Sequence, residues 1–242
     1  MPQSMEGDLE PLRISCIVPV HNGERFLDEA LATIFAQTLA PYEVIVVDDG
    51  STDATAAVAA RHGEAIRYLH QSNAGPAAAR NLGIAAAQGE LVAFLDADDL
   101  WHRDKLARQS ARFRARPELE ICLTHIQSFW VADLASEEER LRDHPLARAM
   151  PGYTAQTLVA RRSGFDRIGA LDPAMRHKDI VDWLIRAARW QAVVEVLPDV
   201  LVYRRIHQAN LSRQRHGEDS VELLRLAKLL LDRRRQLAGD RR

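Results

Sequence analysis

The sequence predicts an α/β fold with a mostly parallel central sheet flanked by helices. Three observations carry that expectation. Short apolar runs at 14–20, 42–47 and 91–95, the second of them β-branched, alternate with stretches of helical spacing, and two of the runs stop in acids, at Asp48-Asp49 and at Asp96-Ala97-Asp98-Asp99. Runs this short, with no polar residue on alternate positions, are buried on both faces, as strands of parallel sheets are. The strand, helix, strand rhythm implies right-handed crossovers. Acids at the carboxyl ends of such strands lie where open α/β sheets bind ligands.

Taken in order, residues 1–11 are acidic and polar and read as a flexible leader. Residues 14–20 form a first strand with Pro19 near its exit, where a missing N–H is tolerated. After a loop at 21–24, residues 25–37 place Phe26, Leu27, Ala30, Leu31, Ile34 and Phe35 at the spacing of a helix laid on a sheet. A second strand over 42–47 leads into a turn at 48–53 and an alanine-rich helix over 54–62, started by Thr52 or Asp53. A weak third strand at 66–69 and a turn-rich loop at 71–76 precede a helix over 77–88, with Gly89 as its expected C-terminal cap. The apolar strand then runs from Gly89 into the acids. Beyond it the pattern predicts helices over 101–114, 178–190 and 219–236 and strands over 120–130, 153–160 and 193–202, with a charged surface excursion at 136–143. The expected organisation is one domain over 12–215 followed by an amphipathic basic helix over 216–242.

Composition narrows the function. With 32 Lys and Arg against 34 Asp and Glu the net charge is −2, which argues against a general nucleic-acid binder. The two cysteines, Cys16 and Cys122, lie far apart in apolar surroundings and read as reduced core residues of a cytosolic protein. No signal peptide and no apolar run of about 18 residues is found, so a cytoplasmic protein is expected. The segment 225–242 carries seven basic and two acidic residues, a face suited to peripheral contact with the inner face of the membrane or to a homodimer.

The chemistry centres on Asp96 and Asp98. Acids at i and i+2 of an extended segment share a side, so both carboxylates can converge on a hard cation such as Mg2+ or Mn2+, which takes oxygen ligands. A cation there would grip a diphosphate and neutralise the charge that develops as it leaves.

Four stretches occur in order: Pro19-Val20-His21-Asn22-Gly23-Glu24, the run from Val44 to Asp53, the run from Asn73 to Ile84, and the run from Gly89 to Asp99. Together they resemble the signature of family 2 glycosyltransferases, nucleotide-diphospho-sugar transferases of the GT-A fold. A looser likeness continues through Gly164 to Asp172, the helix around Asp182-Trp183, and Tyr203-Arg204-Arg205-Ile206-His207. The resemblance implies that residues 12–105 are a nucleotide-sugar-binding half and 106–215 an acceptor half. It places Pro19, Val20, His21 and Glu24 along the nucleoside, with histidine standing where an aromatic is common. It gives Asp49 to the base, leaves Asp48 to support the loop, and directs Arg80 to the donor's phosphates or ribose. Asp96, Ala97 and Asp98 match the metal and donor motif, and His207 is a candidate late metal ligand. Arg204 and Arg205 are either phosphate partners or a solvated strand edge.

Inverting members of that family use a carboxylate to take the acceptor's proton. Aligned on Asp182-Trp183, the expected base position holds Ile180, whereas a one-residue shift gives the role to Asp179. Asp179 and Asp182, three apart, are neighbours on a helix, so either can present a carboxylate. The implied activity is metal-dependent transfer of a sugar, most naturally from a UDP-sugar, to a hydroxyl acceptor (glycan, lipid-linked, peptide or small molecule) with inversion. A Gln-x-x-Arg-Trp motif and membrane helices, usual in processive synthases, are not seen, which implies one transfer per encounter. The competing reading is a nucleotide-sugar-binding relative without turnover; an aspartyl-phosphate phosphatase is disfavoured because Asp-x-Asp comes late in the chain and is followed by Asp99-Leu100-Trp101.

Overall fold

A computed structural model of the chain describes residues 12–175 and 178–210. The expected leader at 1–11 and the basic helix at 216–242 lie outside the described residues. Element order is β1 (Ile14–Val20), α1 (Leu27–Phe35), β2 (Glu43–Asp49), α2 (Thr55–Ala60), β3 (Arg67–Gln71), α3 (Pro76–Ala86), β4 (Leu91–Phe94), β5 (Leu100–Trp101), α4 (Lys105–Ala115), β6 (Ile121–Trp130), α5 (Ala135–Arg140), β7 (Met150–Pro151), β8 (Val159–Arg161), α6 (Arg162–Ile168), α7 (Asp179–Arg189) and β9 (Val194–Ile206). The strands form one sheet in the order β3-β2-β1-β4-β8-β6-β9-β5, with β7 paired to β6.

The first four strands are parallel, as the sequence predicts; the other half is mixed. Three-residue β8 runs antiparallel to both β4 and β6, and β6 pairs with β9 in parallel. Alternate residues of the central strands feed two cores. Cys16, Val18, Val44, Val46, Leu91 and Ala93 meet the apolar faces of α1, α2 and α4. Ile17, Ile45, Val47, Val92 and Phe94 meet α3, α6 and α7 on the other side. Trp183 is fully buried in the second core, stacked on Phe165 at 4.4 Å between ring centroids. An aromatic pair of this kind adds about 0.5–1.5 kcal/mol beyond its buried area.

Several boundaries differ from the expected ones for local reasons. The helix expected from 101 begins at Lys105, because Leu100 and Trp101 are drawn into an antiparallel pair with Tyr203 and Val202 of β9. Thr52 and Asp53 do not cap α2: its N-cap is Ala54, and Asp53 instead accepts from the Thr55 amide at 3.0 Å. Gly89 does not cap α3, whose C-cap is Ala87. A Cβ on Gly89 would lie 2.7 Å from Arg13 O and Ser15 N, so the glycine lets the entry to β4 pass against β1. The charged excursion contains the short exposed helix α5. Among the described residues no helix is long and apolar enough to cross a membrane.

The two cysteines are free and buried, and burial pushes each thiol up to about 12. Between them lies an unusual core residue. Lys105 is fully buried, its Nζ has no hydrogen-bond partner among the described residues, and it stands 4.2 Å over the Trp101 ring. Burial lowers its pKa from 10.5 to about 7. Between those values the unfolded chain binds the proton more tightly than the folded one. The destabilisation is therefore full below about pH 7 and fades as pH rises towards 10.5. The Trp101 face offsets part of it. Lys105→Met, close in volume, should raise stability by about 2 kcal/mol at pH 7. Urea unfolding of both proteins should show that gap narrowing steadily towards pH 10.

Candidate active site

The sheet's parallel half ends in three loops that brace one another. Asn22 Oδ1 accepts from the Thr52 amide at 2.8 Å, the Gly23 amide donates to Thr55 Oγ1 at 2.8 Å, and the Ala54 amide donates to Glu24 Oε2 at 2.8 Å. Pro19 and Val20 are buried at the end of β1, where they pair with Val47 and Asp48, whereas His21 is exposed with Nδ1 3.0 Å from Asp49 O.

Both acids at the end of β2 are buried and engaged. Asp48 accepts from the Tyr68 hydroxyl at 2.5 Å and the Ser51 amide at 2.7 Å. Burial opposes its charge, but these bonds hold its carboxyl below the usual range. Asp49 draws in the third loop: Oδ1 accepts from Gln71 Nε2 at 2.7 Å and the Ala74 amide at 2.8 Å, and Oδ2 from the Gly75 amide at 2.8 Å. Gly50 permits this approach, since at φ +74° a Cβ there would lie 2.7 Å from Asn73 N. Asp49 Oδ2 keeps capacity for a further donor such as a ring N–H.

The acids after β4 each have different company. Asp96 Oδ1 pairs with Arg80 Nη2 at 2.7 Å. Asp98 Oδ2 lies 2.9 Å from His207 Nε2 and 3.0 Å from Asn210 Nδ2. Asp99 is buried, accepting from the Arg205 amide at 2.9 Å and from Gln156 Nε2 at 2.7 Å, which makes it a tie between β9 and the acidic loop. Half-buried Ala97 lies beside the β1 loop, 3.7 Å from where a Cβ on Gly23 would be.

Arg205 is not a free phosphate partner. Its guanidinium is buried between the Phe26 and Phe129 rings, Nε donating to Asp98 O at 2.9 Å and Nη2 to Glu29 at 2.6 Å. Neither Asn210 nor the Glu29 to Arg205 tie was readable in the sequence; both partners become neighbours only when β9 closes on the acidic loop.

The helix α7 resolves the two candidate bases in space. Asp179 is 4% exposed and bonds Arg80 Nη1 at 2.6 Å, which brings it to the side of Asp96. Asp182 turns the other way, to Arg186 at 2.9 Å, and Arg186 also donates to the carbonyls of Ile168 and Ala170. Ile180 faces the second core, 3% exposed.

No three His, Cys, Asp or Glu side chains among the described residues converge into a ready-made metal cage. The acids still suit a cation. Burial, together with the Asp98 carboxylate and against the pull of Arg80, raises Asp96 above the usual carboxylate range. Burial, Asp98 and Asp96 raise Asp99 well above it. Among the described residues Asp96 Oδ2 and Asp98 Oδ1 have no hydrogen-bond partner. Two open carboxylate oxygens match a cation that keeps waters and takes its remaining ligands from substrate phosphates.

Residues 15–176 match the family model described as glycosyl transferase family 2. The chain belongs to this family. Among its relatives, an uncharacterized glycosyltransferase of Rickettsia conorii is 44% identical over 103 residues, covering 42% of this chain and 17% of that protein. One from Nostoc sp. is 30% identical over 214 residues, covering 82% of this chain and 66% of that protein. The chain thus spans only part of these family members. Solved structures share its fold: S. aureus TarS 1–349 in complex with UDP has a TM-score of 0.65 at 21% identity, with 90% of this chain and 71% of that one covered. The mannosyltransferase PcManGT of Pyrobaculum calidifontis, in complex with GDP-Man and Mn2+, has a TM-score of 0.62 at 21% identity, covering 85% and 60%. The likeness identifies the family 2 chain as GT-A in fold.

Proposed function

We propose that this chain is a glycosyltransferase moving a sugar from a nucleotide-diphosphate donor to a hydroxyl acceptor by single displacement with inversion. The observation that carries the reading is the Arg80 bridge, which sets Asp179 beside Asp96 at the carboxyl ends of the parallel strands. In this reading the nucleoside lies at the three braced loops, along Pro19, Val20, His21 and Glu24, with Asp49 Oδ2 accepting from a base N–H. Asp96 and Asp98 would hold Mg2+ or Mn2+, with Ala97 between them and His207 orienting Asp98 or moving onto the cation. That ion, when bound, would neutralise charge on the departing diphosphate.

Asp179 is the proton acceptor in this reading. The acceptor hydroxyl attacks the anomeric carbon, its proton passes to Asp179, and the bond from that carbon to the phosphate oxygen breaks to release the nucleoside diphosphate. Asp182 is disfavoured by its place: it pairs with Arg186 instead of the Arg80 fork that joins Asp179 to Asp96. Support for a UDP-sugar comes from TarS, solved with UDP and with UDP-GlcNAc, although PcManGT was solved with GDP-Man. One transfer per encounter and a cytoplasmic location complete the proposal.

A binding protein without turnover is the second reading, favoured by the deep burial and ion pairing of Asp179. Incubation with Mn2+ and a panel of UDP-sugars and GDP-mannose distinguishes the two through release of nucleoside diphosphate, since slow hydrolysis by water is expected even without the acceptor. Nucleotide binding with no release from any donor would favour the second reading.

A further inference from the structure

Arg80 belongs to α3, in the donor half, and Asp179 to α7, ninety-nine residues further along the chain. We infer that Arg80 is the positioning residue for the proton acceptor: its guanidinium fork fixes the Asp179 carboxylate relative to Asp96, and so sets the attacking hydroxyl against the donor. The inference rests on the glycosyl-transfer reading above.

Asp179 is the first residue of α7, and its carboxylate is bonded from outside that helix. The orientation comes from α3, through two successive residues. Asn81 grips the segment that leads towards α7, donating to Leu171 O at 2.8 Å and accepting from the Leu171 amide at 3.0 Å. Arg80 then holds the Asp179 carboxylate at 2.6 Å with one nitrogen while the other holds Asp96 at 2.7 Å. The two acids raise the guanidinium's pKa above its ordinary value although burial opposes its charge.

The third nitrogen is informative. Arg80 Nε is buried with no partner among the described residues. A buried N–H left unpaired is destabilising, so the side chain is placed for its bridge between two acids rather than for its own satisfaction. A planar fork can hold two carboxylates at a set separation, which a lysine ammonium on a flexible stem cannot reproduce. Proton transfer needs the acceptor hydroxyl within hydrogen-bond reach of the carboxylate. A misplacement of about 1 Å can lower turnover on the order of 100-fold.

The contrasting role for Arg80 is a contact to the donor's phosphates, and the two separate kinetically. Arg80→Lys keeps the charge; its folding is checked by circular dichroism, and titration calorimetry with UDP and Mn2+ reports the donor site without turnover. If Arg80 positions the base, kcat falls about 100-fold while donor KM and UDP affinity stay within about threefold of wild type. The double variant Arg80→Lys/Asp179→Asn should then be no slower than Asp179→Asn alone, because the fork acts through that carboxylate. A rise in KM and loss of UDP affinity at unchanged kcat overturns the inference, as does a double-variant loss equal to the product of the single ones. Should Arg80→Lys fail to fold, Asn81→Ala provides the second test, with kcat expected to fall and UDP affinity to hold; unchanged kcat there overturns it. Wild-type protein that releases no nucleotide from any donor removes the glycosyl-transfer reading itself, a failure distinct from these.

Discussion

Asp179→Asn should lower kcat by about 1,000-fold while leaving nucleotide affinity close to that of the wild type. Removal of a general base costs about 100- to 10,000-fold in turnover, and an amide has the shape of the carboxylate without its basicity. The substitution also leaves Arg80 with one anionic partner in place of two. Because Arg80 keeps its 2.7 Å pair with Asp96, and Asn Oδ1 can still accept from Nη1, the accompanying loss of stability should be about 1–3 kcal/mol rather than unfolding. Single-turnover measurement of nucleotide release, together with calorimetric titration of UDP, separates the two effects. The same change at Asp182 removes only a helix-surface pair with Arg186, on a side chain 31% exposed, where such pairs contribute about 0.2–0.5 kcal/mol. If Asp182→Asn lost turnover and Asp179→Asn did not, the assignment of the base would be reversed.

The parallel half of the sheet was legible because its signals are local. Each of β1, β2 and β4 is a short apolar run followed by polar turn residues, and burial on both faces requires only that the helices between them carry apolar stripes, which α1 and α3 do. Trp101, the second residue of β5, reads as the start of a helix by pattern, since nothing nearby says otherwise. It becomes a strand because Tyr203 and Val202, a hundred residues away, supply its hydrogen bonds. β8 has only three residues, too few to carry a period, and its antiparallel direction is set by its two neighbours.

In the candidate site, the residue types were legible and their partnerships were not. Asp96, Asp98 and Asp49 announce themselves by following apolar runs. Their partners come from 16, 109 and 25 residues away, through Arg80, His207 and the Ala74 amide. Helical spacing rightly sets Asp179 and Asp182 about 60° apart around α7, yet that small angle is decisive when Arg80 waits on one side and Arg186 on the other. The pattern also offered Arg205 to phosphate; its two aromatic neighbours and Glu29 give it instead a structural place beneath the acidic loop.

Asp98→Asn should abolish the cation dependence of nucleotide binding, lowering UDP affinity about 100-fold in the presence of Mn2+ and little in its absence. The fold should survive, because an amide oxygen at this position can still accept from His207 and Asn210. Those two partners allow the role of the acid to be dissected. If His207 orients Asp98 without binding the cation, then His207→Ala and Asn210→Ala should each weaken Mn2+-dependent binding about 10-fold, the scale on which groups behind a metal ligand act. If His207 is itself a ligand, its loss should approach that of Asp98→Asn, and Asn210→Ala alone should remain mild. Calorimetric titration of UDP with and without Mn2+ reads both cases. Wild-type binding equally tight without the cation would leave Asp96 and Asp98 with no metal to hold.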